Sequence, residues 1–201
     1  RSRGVGATSS GSSRSGSVMT GQNPAEATGR TLAEVVGRTL ADRGLSLATS
    51  ESLTGGLLGA TITAVPGASR YYLGGVVVYA TEQKSRIGGV SRSVLRSHGV
   101  ISAQTAIEMV MGVQKLTGAD YALAASGVAG PDPQEGHQPG VVWIAVVGPT
   151  IGAIEPAPMA LRFEFEGDRR QIREQTVHAA LDMLCDQLDP ATREQNGGGA
   201  R

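Results

Sequence analysis

Three stretches of this 201-residue chain carry side chains whose types and positions could do chemistry. The first is Leu47-Ala-Thr-Ser-Glu-Ser-Leu-Thr-Gly-Gly-Leu-Leu-Gly59, an apolar run that ends in hydroxyl residues, a glycine pair and then an apolar helical pattern. That order predicts a strand, a tight turn and a helix N-terminus. The first backbone N–H groups of such a helix lack intrahelical partners and carry the positive end of the macrodipole, so an anion is favoured there. Gly55 and Gly56 would let a ligand approach the backbone closely, and Ser50, Ser52 and Thr54 bring hydroxyls to the same turn. The turn also has a reading without a ligand, in which Thr54 is an N-cap and the glycines only reverse the chain.

The second stretch, residues 79–84, follows Val76-Val-Val78 and holds Tyr79 and Lys84; the third is Ser126-Gly-Val-Ala-Gly-Pro131. Each follows an apolar segment, and in open α/β sheets ligands gather at the carboxyl ends of strands. A hydroxyl is a poor nucleophile until a neighbouring base takes its proton, and a desolvated lysine of lowered pKa can be that base. A hydroxyl, the Tyr79 phenol and Lys84 in one crevice would therefore make a Ser–Lys(–Tyr) site, with Tyr79 relaying a proton or holding Lys84. Composition adds a hint: of 18 basic residues, only Lys84 and Lys115 are lysines, and arginine cannot give up its proton in a protein. Taken singly, Tyr79 also reads as a core aromatic with a wet tip, and Lys84 as a solvated helix charge. The small residues after Ser126 read either as a backbone wall against a ring or phosphate, or simply as a turn. Arg169 or Arg170, at the start of the last helix, could reach an anionic ligand or stay in solvent.

The elements that must position these residues alternate in type. Leu32, Val35, Val36 and Leu40 recur at helical spacing in a helix expected over 25–43, with Gly44 as its C-cap. Strands are expected at 45–49, 72–79, 121–126, 141–147 and 158–165. Helices are expected at 54–65, 81–87, 94–98, 103–116 and 168–188, the last with Asp168 as N-cap. Ala106, Ile107, Val110, Met111 and Val113 should form the apolar side of the helix over 103–116. Interleaved helices and strands imply an α/β fold, a three-layer α/β/α sandwich with a mixed, mostly parallel central sheet. The link between 141–147 and 158–165 is too short for a helical crossover, so that pair should be antiparallel. The domain is expected over 23–190, between a flexible Ser/Gly/Arg-rich tail at 1–22 and a Gly-rich tail at 191–201.

Net charge is zero, and no basic stripe with interleaved aromatics appears, so nucleic acid is not an expected partner. No apolar run approaches a membrane span, and the N-terminal residues lack the apolar core of a secretory signal. One cysteine, Cys185, excludes an intrachain disulfide and fits a reducing compartment; a cytoplasmic protein is expected. Cys185 should be a small buried hydrophobe. His98, His137 and His178 lack metal-ligand spacing, and Asp132 and Glu135 match no metal loop, so no metal is expected.

Read together, Ala48-Thr-Ser-Glu-Ser-Leu-Thr-Gly-Gly56, Gly75-Val-Val-Val-Tyr79 with Lys84, His98-Gly-Val-Ile-Ser102, Ser126-Gly-Val-Ala-Gly-Pro131 and Phe165-Glu-Gly-Asp-Arg169 resemble the CinA C-terminal domain family, in order and spacing across roughly residues 25–188. The resemblance implies hydrolysis of the carboxamide of nicotinamide mononucleotide to nicotinic acid mononucleotide and ammonia. It implies Ser52 as nucleophile with Lys84 and Tyr79 as the activating pair, and no metal or organic cofactor. Ser50, Glu51, Thr54, Gly55, Gly56, Ser126, Gly127, Ala129, Gly130 and Arg169 become the candidate substrate-binding residues. A homodimer or larger homo-oligomer is expected, without the nucleotide-processing N-terminal domain of full-length CinA proteins. Two departures stand out: Leu53 where the family usually has Cys, and His137-Gln-Pro-Gly-Val-Val142 where it often has Lys-Pro-Val-Gly-Thr-Val. The second departure keeps two other readings open, a non-catalytic nucleotide-binding or partner module, and an amidase for another small amide.

Overall fold

A computed structural model describes residues 31–150 and 157–189. The tails and the expected residues 23–30 of the domain and its first helix lie outside the described residues. Helix α1 (Leu32–Arg43) starts at a reciprocal cap, the Thr31 side chain accepting the Glu34 N–H while the Glu34 carboxylate accepts the Thr31 N–H. It ends at Gly44 in the left-handed conformation. Strand β1 (Leu47–Glu51), helix α2 (Leu57–Thr63) and strand β2 (Tyr72–Val77) follow, then α3 (Thr81–Arg86), α4 (Arg92–His98) and α5 (Ala103–Thr117). Strands β3 (Tyr121–Gly127), β4 (Val141–Val147) and β5 (Met159–Glu164) precede the closing helix α6 (Arg169–Leu188), which Asp168 caps as expected.

The sheet runs β2-β1-β3-β4-β5. β1 is parallel to β2 and β3, whereas β4 is antiparallel to β3 and β5. Four of the five strands thus point one way and β4 alone reverses. The reversal follows from the chain: β3 reaches β4 through a loop with no helix, and a parallel return would need a crossover. The antiparallel β4–β5 pair matches its short connection.

Alternation along the central strands builds two cores. Leu47, Leu123 and Ala125 face α1, α2 and α6, while Ala48, Ala122 and Ala124 face α5. Helices therefore cover both faces of the sheet, and β1 and nearly all of β3 are buried, the polar Thr49, Ser50 and Glu51 of β1 included. The α5 stripe is rotated slightly from the expected one. Thr105, Ala106, Met109, Val110 and Val113 are buried, and Ile107 and Met111 only half-buried. Among the described residues no helix is long and apolar enough to cross a membrane.

Two boundaries differ in a way that matters for the site. β1 continues through Ser50 and Glu51, residues expected in the turn, and α2 starts at Leu57 with Gly56 as its cap rather than at Thr54. The parallel ladder extends past the strands, the Ser52 N–H donating to the Ala125 carbonyl at 3.0 Å and the Val78 N–H to the Glu51 carbonyl at 2.8 Å. The turns after β1, β2 and β3 are thereby fixed to one another at the same edge of the sheet.

Candidate active site

At that edge Ser52 and Lys84 meet. The Lys84 Nζ donates to Ser52 Oγ at 2.9 Å and to the Val78 carbonyl at 3.0 Å. Helix α3 makes this possible: it begins four residues after Val77 and turns Lys84 back under the end of β2. Lys84 is 2% exposed and Ser52 8%, so the expected solvated helix charge is a buried amine. Burial lowers its pKa to about 8, and the Glu135 carboxylate pulls in the opposite direction. A buried lysine of lowered pKa within hydrogen-bond reach of a hydroxyl can serve that hydroxyl as a base.

The pair opens into a small cavity of about 110 Å³. Leu53, Val100, Ser126, Gly127, Val128, Ala129, Gly130, Asp132 and Gln134 line it with Tyr79 and Arg169. Ser126 Oγ donates to the Val100 carbonyl at 2.6 Å, so this serine holds the wall rather than offering a free hydroxyl. Tyr79 stands at the rim, 56% exposed. The Arg169 guanidinium donates to Tyr79 Oη at 2.6 Å and to the Gly130 carbonyl at 2.7 Å, spanning the mouth from α6 to both loops. A wider, shallow cleft of about 1080 Å³ beside α5 holds none of the candidate residues.

Several expectations for the first turn need correction. Glu51 does not face the cavity: its buried carboxylate accepts the N–H groups of Gly56, Leu58 and Gly59 at 2.9, 3.0 and 2.8 Å. The positive end of α2 is therefore occupied by a carboxylate of the chain itself, and with the Gly55 N–H donating to the Ser52 carbonyl at 3.0 Å the Gly55 and Gly56 amides are not free to cradle an anion. Gly56, at φ +95°, lets the chain turn sharply enough to bring these amides back onto Glu51. None of Ser50, Glu51, Thr54, Gly55 or Gly56 lines the cavity. The Ser50 and Thr54 hydroxyls are buried with no hydrogen-bond partner among the described residues, and the Thr54 carbonyl accepts from Arg173 at 2.6 Å. The Tyr79 hydroxyl is engaged by Arg169, not by Lys84.

The cavity also uses residues that sequence reasoning missed as lining. Val100 was legible only as part of a short motif, and Gln134 and Asp132 only as loop. Their signal was position: each lies within ten residues of a recognised motif, on a connection between elements whose packing decides where it points. Among the described residues no group of three or more His, Cys, Asp or Glu is placed to hold a metal. Cys185 is half-buried against the core, and burial, aided by Asp182 and Asp186, pushes its thiol up to about 12, so it is inert.

A family model described as the CinA C-terminal domain matches residues 29–188. A protein of Desulforamulus reducens named as competence-damage inducible is 45% identical over 142 residues, which is 71% of this chain and 33% of that protein. A CinA-like protein of Frankia casuarinae is 42% identical over 142 residues, 71% of this chain and 31% of its own length. The chain thus spans about a third of the length of the curated relatives it matches. Among solved structures, a CinA superfamily protein of Klebsiella pneumoniae superposes with a TM-score of 0.73 at 35% identity, covering 78% of this chain and 95% of that one.

Proposed function

Since the chain belongs to the CinA C-terminal domain family, we propose that it is an amidohydrolase that converts nicotinamide mononucleotide to nicotinic acid mononucleotide and ammonia. The observation that carries this reading is the buried 2.9 Å contact between Lys84 Nζ and Ser52 Oγ at the floor of a cavity. The substrate comes from the resemblance; the chemistry comes from the pair.

Lys84 must be neutral to act as base. With a pKa of about 8, about one molecule in ten has the free amine at neutral pH, against less than one in a thousand for an ordinary lysine. The neutral amine takes the Ser52 proton as Oγ bonds to the amide carbon. The carbonyl oxygen becomes an oxyanion, for which the Leu53 N–H is the nearest candidate in sequence: Leu53 lines the cavity and its amide has no acceptor among the described residues. The Lys84 ammonium returns the proton to the departing nitrogen, the C–N bond breaks and ammonia leaves a Ser52 ester. Lys84 then takes a proton from water as the water oxygen attacks the ester, releasing the acid and restoring Ser52. Tyr79 works at the rim, where it positions Arg169.

A cavity of about 110 Å³ accepts the reacting carboxamide and little more, since ligand pockets run to roughly 300–1,000 Å³. Ribose and phosphate must lie outside, and Arg169 is the cation at the mouth. The same dimension favours the second reading, an amidase for a smaller amide. Ammonia release from nicotinamide mononucleotide and from a panel of small amides, with wild type, Ser52→Ala and Lys84→Ala, tests both. We expect each variant to lose at least about a thousandfold in kcat. Undiminished turnover in either variant refutes the mechanism, and ammonia from small amides but not from the mononucleotide moves the assignment to the second reading.

A further inference from the structure

Glu135 is, among the described residues, the one non-glycine with positive φ, at +50°. It sits with Gly136, φ +79°, in a tight turn closed by two hydrogen bonds, Gln134 N–H to the His137 carbonyl at 3.0 Å and His137 N–H to the Gln134 carbonyl at 2.9 Å. Two consecutive positive φ values across a two-residue hairpin make a type I′ turn, where Asn, Asp and Gly are favoured. A glutamate there is strained, and such strain persists where the side chain is held by something else. Here the carboxylate is held: it accepts the Val100 N–H at 2.7 Å. The approach is close enough that a Cβ on Gly99 would sit 2.5 Å from the same carboxylate oxygen. Gly99 itself has φ +75°, so this contact point requires glycine twice over.

Val100 links that contact to the site. Its carbonyl accepts from Ser126 Oγ, it lines the cavity with Ser126 and Lys84, and the neighbouring Gly99 carbonyl accepts from Thr105 Oγ1 at the start of α5. We propose that Glu135 is a positioning residue of this site: its carboxylate, delivered by a left-handed turn, clamps the α4–α5 connection to the β3–β4 loop and so sets the wall that Val100 and Ser126 present to Ser52 and Lys84. The clamp also carries charge. The titratable or charged side chains that line the cavity with Lys84 are Tyr79, Asp132 and Arg169. Glu135 is not part of that lining, yet its charge is the one that raises the Lys84 pKa against burial. The kinetic consequence rests on the Ser52–Lys84 reading above; the clamp and the charge do not.

The chain has only two lysines, Lys84 and Lys115, so protein carrying 13C at lysine Cε gives two titrating NMR signals, assigned with Lys115→Arg. Glu135→Gln keeps an acceptor for Val100 and removes the charge; Glu135→Ala removes both. In Glu135→Gln we expect the Lys84 midpoint to fall by roughly half a pH unit, with Lys115 unmoved and the rise of kcat/KM with pH shifted down in step. In Glu135→Ala we expect the same fall, and also a loss of at least about tenfold in Val100 amide exchange protection while core amides of β1 and β3 keep theirs. An unchanged Lys84 midpoint in both variants, or unchanged Val100 protection in Glu135→Ala, overturns the proposal. Because the titration and the exchange need no substrate, a failed amidase assay with a shifted midpoint refutes the proposed function and leaves this inference standing; normal turnover with an unmoved midpoint does the reverse.

Discussion

Replacing Lys84 with Met should leave the protein inactive and yet make it less sensitive to pH. Burial lowers the Lys84 pKa from 10.5 to about 8, with Glu135 acting in the opposite sense. The folded state therefore binds the proton more weakly than the unfolded chain, and stability is reduced wherever the unfolded lysine is charged. The penalty is fully present below pH 8 and fades as pH rises towards 10.5. At about pH 7 it amounts to about 3 kcal/mol, and at about pH 9.5 to about 1 kcal/mol. Methionine has a similar shape and no charge, so it escapes this penalty, but it leaves the Val78 carbonyl and Ser52 Oγ without the donor that serves them now, at about 1 kcal/mol each. The absolute difference at neutral pH should thus be small, with the variant at least as stable. The pH dependence decides: the stability of wild type relative to Lys84→Met should rise by about 2 kcal/mol between those two pH values. Tyr71, Tyr72 and Tyr121 also have raised pKa values from burial, but they are common to both proteins and cancel. Urea titrations of both proteins at the two pH values measure this. A difference that stays constant with pH would show that the amine is not held in the buried state described here.

Two further outcomes test the surrounding structure. Glu51→Ala should strip three N–H groups at the start of α2 of their acceptor, costing about 3 kcal/mol or more and lowering Tm by roughly 10 °C, as calorimetry would register. Arg169→Ala should unfasten Tyr79 and the Gly130 carbonyl; KM for a phosphate-bearing amide should rise about tenfold or more while KM for a small neutral amide changes little, which steady-state ammonia release resolves.

Periodicity and punctuation made most of the fold legible. The helical periods over 25–43 and 103–116, the apolar β4 and the short β4–β5 link implied a covered, mixed sheet, because burying one face of each element leaves few arrangements. Ser52, Lys84 and the small-residue loop after Ser126 were also legible, since lysine is scarce in this chain and each stretch follows a strand. The first turn was misread for a physical reason. Glu51, six positions before the first residue of α2, reads in sequence as a side chain of the turn offered to substrate, and only the left-handed Gly56 brings the α2 amides back onto its carboxylate.

By itself, then, the order of residue types determined the elements, their layering and which side chains stand at strand ends, because these follow from local hydrophobic period and turn chemistry. Tertiary structure alone decided which of those side chains meet. The parallel register of β2, β1 and β3 puts Lys84 against Ser52 across 32 positions of chain, turns Glu51 away, and assigns Tyr79 to Arg169, 90 positions distant. Such pairings depend on distances between elements, and no local pattern encodes them.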